Sequence, residues 1–247
     1  MNHPLTVWKQ HYEVRTREID PAGRLKFSAI ADYLQEAAAH HTHQLKIGLY
    51  QLKPYGLTWI LSRLRIEMKR YPGWGEKLIV HTWPKGDNHL AAARDFRLED
   101  HNGEVVAIAT SIWFLLDFHT MKPRPLAALP TTFEVDSTIP EALAEAPEKV
   151  PATPADTPEV LRCSPQRNDI DLNGHLNNAC YFDWIANALR PEDAPFRRID
   201  INYLAEVKLE NEIGIRIARQ DGQVLAEGVN LHSGHSAFRA RLMRADQ

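Results

Sequence analysis

Apolar residues in the chain follow two different spacings, and each spacing predicts a kind of secondary structure. In one stretch they recur every three or four positions, as on one face of an α-helix. These residues are Phe27, Ile30, Leu34, Ala37 and Ala38. A second stretch is apolar around most of its circumference, which predicts a buried helix. Its apolar residues are Tyr181, Phe182, Trp184, Ile185, Ala188 and Leu189.

Other segments alternate between apolar and polar positions, which is typical of antiparallel strands with one buried face. The apolar positions are Leu64, Ile66 and Met68, then Ile199, Ile201 and Tyr203, then Ile213, Ile215 and Ile217, and finally Phe238, Ala240 and Leu242. The dipeptides Asn102-Gly103 and Asp221-Gly222 predict hairpin turns between such strands. Each half is therefore expected to be an α+β unit in which an antiparallel sheet wraps around one long buried helix.

The two halves also match each other when the chain is shifted by 151 positions. Residues 18–25 then lie over residues 169–176, and four of the eight pairs are identical. The register continues without a gap, with Asp32 over Asp183 and Ala37 over Ala188. A repeat of this length indicates a duplicated domain and not a solenoid.

Between the copies lies a segment rich in acidic residues and proline. Residues 134–159 carry seven acidic side chains and one basic one, together with five prolines. Proline removes amide donors and favours extended backbone, so we expect an exposed, semi-stiff linker. The predicted organisation is an N-terminal domain over 1–138, a linker over 139–158 and a C-terminal domain over 159–247. The alternative is a long surface loop within a single domain.

Composition narrows the function classes. The chain has 247 residues, of which 44% are hydrophobic and 25% charged, and its net charge of −3 gives no signal for nucleic-acid binding. The sequence shows neither an apolar run of membrane-spanning length nor a targeting segment. Two cysteines, Cys163 and Cys180, cannot build a disulfide framework and lack metal-site spacing. We therefore expect a cytoplasmic protein that needs no metal and no cofactor.

The densest polar cluster spans residues 169–178, just ahead of the second predicted helix. Amides at a helix N-terminus can hold an oxyanion formed when a thioester or ester carbonyl is attacked. A neutral His175 can take a proton from water, and Asn173 can bind the carbonyl. The structural alternative is that Asp171 or Asn173 only caps the helix and His175 lies on the surface.

Comparison of the two copies favours a catalytic role for Asn173 and His175 over a purely structural role as a helix cap. The first copy has Ala22 and Arg24 at the places of Asn173 and His175. It keeps the shared aspartate and glycine of the turn but lacks the two residues that could react. We therefore expect one chemically complete site per chain.

Three other groups are weaker candidates. The histidines at 40, 41 and 43 suggest a metal only faintly, and a helix surface is the favoured interpretation. Cys180 lies on an apolar helix and is interpreted as an inert core residue. The basic positions that alternate between Arg63 and Arg70 predict a solvated sheet face, with docking of a carrier protein as the alternative.

Motifs along nearly the whole chain resemble those of one known family. They are L-Q-E-A-A at 34–38, R-Y-P-G-W-G-E at 70–76 with T-W at 82–83, R-D at 94–95, A-T-S-I-W at 109–113, D-L-N-G-H-L-N-N at 171–178 and N-Y-L-A-E at 202–206. The family is that of the acyl-acyl carrier protein thioesterases of plant plastids and bacteria. The resemblance implies a tandem hotdog fold, with the acyl-chain pocket in the N-terminal half.

The resemblance also implies a catalytic set of Asp171, Asn173, His175 and Glu206. Glu206 and His175 would activate water, Asn173 and helix N-terminal amides would hold the carbonyl, and either Glu206 or His175 could accept the proton. Asp171 would hold the loop. Position 207 is Val207, where plant members have a cysteine once proposed as the nucleophile.

By this resemblance the expected partner is an acyl carrier protein loaded with a fatty acyl group, and the chain is expected to be a monomer or a homodimer. Two other function classes stay open. One is an acyl-CoA thioesterase of the same fold, which would share the chemistry. The other is a non-catalytic acyl-binding module. A hotdog dehydratase fits the D-x-N-x-H pattern poorly.

Overall fold

The computed structural model describes residues 6–190, 193–220 and 222–244. The first half consists of β1 (Trp8–Glu13), α1 (Phe27–Gln44), α2 (Leu49–Leu52), β2 (Leu57–Met68), β3 (Lys77–Asp87), β4 (Ala91–Asp100) and β5 (Val105–Asp117). The second half consists of β6 (Glu159–Cys163), α3 (Cys180–Ala188), β7 (Arg198–Tyr203), β8 (Ile213–Gln220), β9 (Gln223–Asn230) and β10 (Ser236–Met243). The predicted hairpin at Asn102-Gly103 joins β4 to β5. The predicted Asp221-Gly222 turn lies between β8 and β9, with Asp221 outside the described residues.

The ten strands form one antiparallel sheet in the order β1-β3-β4-β5-β2-β7-β10-β9-β8-β6. Each half arranges its own five strands in the same order. Counted from the outer edge inward, the first strand is followed by the third, the fourth, the fifth and the second. The halves join where β2 pairs with β7, with Leu64 opposite Ile201. This mirrored order is what a duplicated unit gives when two copies pair edge to edge, and it confirms the tandem hotdog expected from the sequence.

The helices lie against the sheet as the apolar spacing predicts. In α1 the side chains of Ile30, Leu34 and Ala37 are at most 3% exposed, and burying a residue such as Ile30 contributes about 2 kcal/mol. The helix α3 buries Tyr181 and Ile185 in the same continuous core. It has nine residues where α1 has 18, so only the first half has a helix of full length.

The acidic segment between the halves is less exposed than predicted. It crosses the outer face of the sheet, where the backbone N–H of Val150 donates to the side chain of Asn202 at 2.7 Å. The backbone N–H and hydroxyl of Thr153 donate to Glu227 at 3.0 and 2.7 Å. Val150 and Thr153 are both buried. The boundaries of the two domains and the linker stay predictions, since the halves share one sheet and one core.

The prediction of a solvated basic face on β2 is wrong at Arg65, which is 1% exposed. Its guanidinium contacts Asp200 at 2.6 Å and Glu145 of the acidic segment at 3.4 Å. A neighbouring pair joins Arg241 to Glu148 of the same segment at 2.7 Å. The physical reason is that β2 lies in the middle of the ten-stranded sheet, where the acidic segment covers it. Within the described residues, no helix is both long and apolar enough to cross a membrane.

Candidate active site

The polar loop of the second half is folded around one carboxylate. Asp171 Oδ1 accepts the backbone N–H groups of Asn173 at 2.8 Å and His175 at 3.3 Å. The Asp171 N–H in turn donates to the His175 carbonyl at 2.8 Å. Gly174 has φ = +82°, a left-handed conformation that glycine adopts without steric cost. The loop thereby presents Asn173 and His175 in fixed positions.

Glu206 reaches this loop from the segment that follows β7. Its Oε2 lies 3.0 Å from Nε2 of His175. The two segments are tied together by the Leu176 N–H, which donates to the Val207 carbonyl at 2.7 Å. The His175 and Glu206 side chains are 23% and 30% exposed, so the pair is shielded from bulk water but open to a substrate. The Glu206 Oε1 atom is buried and has no hydrogen-bond partner among the described residues.

All four predicted site residues line a single cleft. The Asn173 amide nitrogen Nδ2 lies 3.3 Å from Asp171 Oδ2, so Asp171 orients this side chain as well as the loop backbone. Asp171, Asn173, His175 and Glu206 thus meet at one place, although Glu206 is distant from the others in sequence.

The second helix follows the polar loop directly, as predicted, but neither Asp171 nor Asn173 caps it. The helix α3 begins at Cys180, five residues after His175. Asn177 Oδ1 accepts the Ala179 N–H at 2.9 Å, because an asparagine at this point satisfies a helix amide that would otherwise be free. The Asn178 N–H, by contrast, has no acceptor among the described residues, and Asn178 lines the cleft. The Asn178 N–H is therefore one backbone amide beside the loop that an oxyanion could use.

The first half contains the same loop without the same side chains. Asp20 Oδ1 accepts the N–H groups of Ala22 at 2.8 Å and Arg24 at 2.9 Å, as Asp171 does for its own loop. Gly23 has φ = +78°. The duplication predicted from the sequence is therefore reproduced in the backbone hydrogen bonds, while the reactive amide and imidazole are missing.

The counterpart of Glu206 in the first half is Tyr71, which the sequence analysis missed. The Leu25 N–H donates to the Pro72 carbonyl at 2.8 Å, and this bond corresponds to the one between Leu176 and Val207. The residue before Pro72 is Tyr71, and the Arg24 guanidinium lies 5.6 Å from the centre of its ring. The first half thus has a cation–π contact between Arg24 and Tyr71 at the position where the second half has the His175 imidazole and the Glu206 carboxylate. Tyr71 and Glu206 are not separated by 151 positions, so a gapless comparison of the two copies does not pair them.

The cleft extends from the polar loop into the N-terminal half and has a volume of about 1140 Å³. Apolar side chains from α1, β2 and β5 line it, including Ala38, Trp59, Leu61 and Trp113. A volume of this size exceeds what a small ligand needs. The cleft is therefore long enough and apolar enough to hold an extended hydrocarbon group.

The alanines of α1 divide into two sets. Ala38 and Ala39 line the cleft, and Ala38 packs in the core as well, whereas Ala29 and Ala37 belong to the core alone. Ala37 is fully buried. The apolar spacing identifies the buried face of α1 but does not show which of its alanines also meets the cleft.

Neither cysteine has the environment of a nucleophile. Burial and the nearby carboxylate of Asp169 raise the pKa of Cys180 to about 12. Burial alone raises the pKa of Cys163 to about 11. Val207 is fully buried in the core and does not line the cleft. An acyl-enzyme through position 180 or 207 is thus physically disfavoured.

The three histidines of α1 contact different partners. His40 lies 3.0 Å from Glu36, His41 lies 3.0 Å from Arg94, and His43 lies 2.8 Å from Gln51. No group of three or more potential metal ligands occurs in the part of the chain that the structure describes.

Arg94 is a second cleft-lining residue that the sequence analysis did not single out as functional. The signal was present in the alternation of β4. Arg94 shares its phase with Phe96 and Leu98, which are both buried on the inner face. A positively charged side chain on the inward-facing side of a strand is unusual and indicates a buried polar contact.

Family models match both halves of the chain. The model of the acyl-ACP thioesterase N-terminal domain matches residues 5–128, and that of the acyl-ACP thioesterase C-terminal domain matches residues 152–239. Among curated proteins, the chloroplastic palmitoyl-acyl carrier protein thioesterase of Cuphea hookeriana is 28% identical, covering 75% of this chain and 48% of its own length. The chloroplastic oleoyl-acyl carrier protein thioesterase 2 of Arabidopsis thaliana is 26% identical, covering 82% of this chain and 58% of its own. This chain thus spans about half the length of these relatives.

Solved structures show the same fold over the whole chain. An acyl-ACP thioesterase from Bacteroides thetaiotaomicron superimposes with a TM-score of 0.87 at 24% identity, covering 98% of this chain and 99% of its own. The 12:0-ACP thioesterase from Umbellularia californica superimposes with a TM-score of 0.76 at 21% identity, covering 96% of each chain. With the family models matching both halves, the chain belongs to the acyl-ACP thioesterase family.

Proposed function

We propose that the protein hydrolyses the thioester of a fatty acyl group carried on acyl carrier protein and releases the free fatty acid. The observation that carries this proposal is the contact between His175 and Glu206 at 3.0 Å, beside Asn173 in an apolar cleft. Family membership supports the reaction class. The named relatives that act on acyl carrier protein support the donor.

In the proposed mechanism, Glu206 accepts the Nε2–H of His175 and so leaves Nδ1 as the ring's proton acceptor. His175 takes a proton from water, whose oxygen attacks the thioester carbonyl carbon. The Asn173 side chain and the Asn178 N–H donate to the oxyanion. When the carbon–sulfur bond breaks, the proton passes from His175 to the leaving thiolate, and the acid and the free thiol are released.

The test is a hydrolysis assay with acyl carrier protein bearing acyl groups of graded length, run in parallel with the corresponding acyl-CoA donors. We expect release of fatty acid from the carrier-bound substrates, and a loss of about a hundredfold or more in turnover for Glu206→Ala. Turnover of CoA donors alone would indicate the acyl-CoA thioesterase, and no turnover with either donor would indicate a binding module. A cytoplasmic location and a monomeric or homodimeric state stay predictions.

A further inference from the structure

A hydrogen bond from the first half of the molecule reaches the edge of the proposed active site. Gln35, on α1, lines the same cleft as the polar loop of the second half. Its side-chain oxygen Oε1 accepts a hydrogen bond from Asn178 Nδ2 at 3.1 Å. The two residues are 143 positions apart. Their contact therefore depends on how α1 of one half packs against the loop of the other.

Asn178 is held by a second hydrogen bond from another direction. Its backbone carbonyl accepts the Tyr203 hydroxyl at 3.0 Å. Desolvation holds the pKa of Tyr203 well above its usual 10, so the hydroxyl stays protonated and remains the donor. The carbonyl and the side chain of Asn178 are thus both engaged, while its N–H has no acceptor among the described residues and borders the cleft. Gln35 supplies one of the two restraints on the position of this N–H.

The first copy of the repeat has an apolar contact at the same junction. A shift of 151 positions places Phe27 over Asn178 and Ala186 over Gln35. Phe27 stacks on Phe182 of α3, with ring centroids 6.4 Å apart and 13° between the ring planes. The junction is therefore apolar beside the incomplete loop and polar beside the complete one. This is the same division as between the two polar loops, and it associates the pair of amides with chemistry and not with packing.

The position of an oxyanion donor has a large effect on rate. Removing one such donor costs about 10²–10³ in kcat, and a misplacement of about 1 Å can cost about a hundredfold. We propose that Gln35 is a positioning residue, which holds the Asn178 N–H where the thioester oxyanion forms. The first half then contributes directly to the geometry of the reaction at the second. This inference rests on the proposed thioesterase function.

The experiment measures kcat and KM separately with one carrier-bound acyl group. Gln35→Met keeps the length of the side chain and removes the amide. It should lower kcat by roughly tenfold and leave KM within about twofold, because the oxyanion exists only in the transition state. Asn178→Ala removes the same hydrogen bond from the other side, should also lower kcat, and serves if Gln35→Met does not fold. Gln44→Met is the control, since Gln44 is the other glutamine of α1, is exposed and does not line the cleft.

A double-mutant cycle tests whether Gln35 acts through Asn178. The protein that carries both Gln35→Met and Asn178→Ala should be no slower than the one with Asn178→Ala alone. Losses that multiply would overturn the proposal, since Gln35 would then act independently of Asn178. An unchanged kcat in Gln35→Met, or a rise in KM alone, would overturn it as well.

The inference and the proposed function can fail separately in these measurements. Hydrolysis by the wild type together with a wild-type kcat in Gln35→Met overturns the inference and leaves the proposed function standing. Nitrogen–proton correlation spectra provide a measurement that needs no turnover. The amide signals of Asn178 should shift in Gln35→Met and stay in place in Gln44→Met. Such a shift supports the contact even if no thioester is hydrolysed, and unchanged Asn178 signals in Gln35→Met contradict it even if hydrolysis is observed.

Discussion

At the residue scale, the two polar loops have the same backbone and differ in the side chains that can react. Comparison of the copies was enough to predict Asn173 and His175, because Ala22 and Arg24 occupy the matching turn positions. Glu206 could be predicted only from the family resemblance. It approaches His175 through the hydrogen bond between the Leu176 N–H and the Val207 carbonyl, which joins segments distant in sequence, and a glutamate after a strand has no local signature.

Cys180 provides a prediction at this scale. Its thiol is half-buried, its pKa is raised, and it does not line the cleft, so Cys180→Ala should retain turnover within about threefold of the wild type. The measurement is a steady-state assay after circular dichroism has confirmed folding. Loss of all activity in a folded Cys180→Ala protein would restore the nucleophile hypothesis.

At the element scale, alternation and helical spacing predicted where the strands and helices lie but not which face of a helix meets a cleft. Ala37 and Ala38 follow each other in the same apolar stripe and both pack in the core, yet only Ala38 also lines the cleft. That distinction depends on the curvature of the sheet around α1, which is set by strands from the whole half.

Ala38→Phe should shift the preference of the protein to shorter acyl groups. The added ring would fill part of the cleft, and each methylene that no longer fits loses about 0.8 kcal/mol of burial. The length profile is measured by competition among carrier-bound acyl groups. Ala144→Phe, on an exposed part of the acidic segment, is the control and should leave the profile unchanged. An unchanged profile for Ala38→Phe would place the pocket elsewhere.

Where α1 meets α3, two carboxylates that the repeat superimposes approach each other. Partial burial, followed by the charges of Asp183 and Glu18, raises the pKa of Asp32 from its usual 3.8 to about 6. Between these values the folded protein binds more protons than the unfolded chain. The free energy of unfolding contributed by Asp32 therefore falls as the pH rises through this window.

Asp32→Asn should accordingly raise the melting temperature at neutral pH. Solvent screens part of the repulsion, because Asp32 lies on the exposed side of α1, so we expect a gain below about 4 °C. The gain should disappear below about pH 4, where the carboxyl is protonated in both states. Thermal melts at both pH values check this. A loss at neutral pH, or an equal gain at both, would contradict it.

At the scale of the whole molecule, the sequence predicted two halves and a linker, and the structure adds how they are joined. The acidic segment and the basic positions of β2 were each visible as charge patterns. Their contact was not predictable, because Arg65 and Glu145 are 80 positions apart and nothing local specifies their pairing. The edge-to-edge joining of β2 to β7 brings Asp200 to the same place.

Asp200 should contribute more than Glu145 to the stability of the joint between β2 and β7. Asp200 is fully buried beside Arg65 and Arg198, so Asp200→Ala leaves buried charge uncompensated and should lower the free energy of unfolding by about 3–5 kcal/mol. Glu145 is 76% exposed, and Glu145→Ala should cost less than about 1 kcal/mol. Chemical denaturation measures both. Equal losses would show that the buried pair does not dominate the joint.

The most direct test of the account uses the two halves as each other's control. His175→Ala and Arg24→Ala change matching positions of the two loops, and turnover of one carrier-bound acyl group is measured for both variants and the wild type. We expect a loss of about a hundredfold or more for His175→Ala, with Arg24→Ala within about threefold of the wild type, since Arg24 does not line the cleft. Near-normal turnover in a folded His175→Ala protein, or equal losses in both variants, would contradict a single active site at His175 and Glu206.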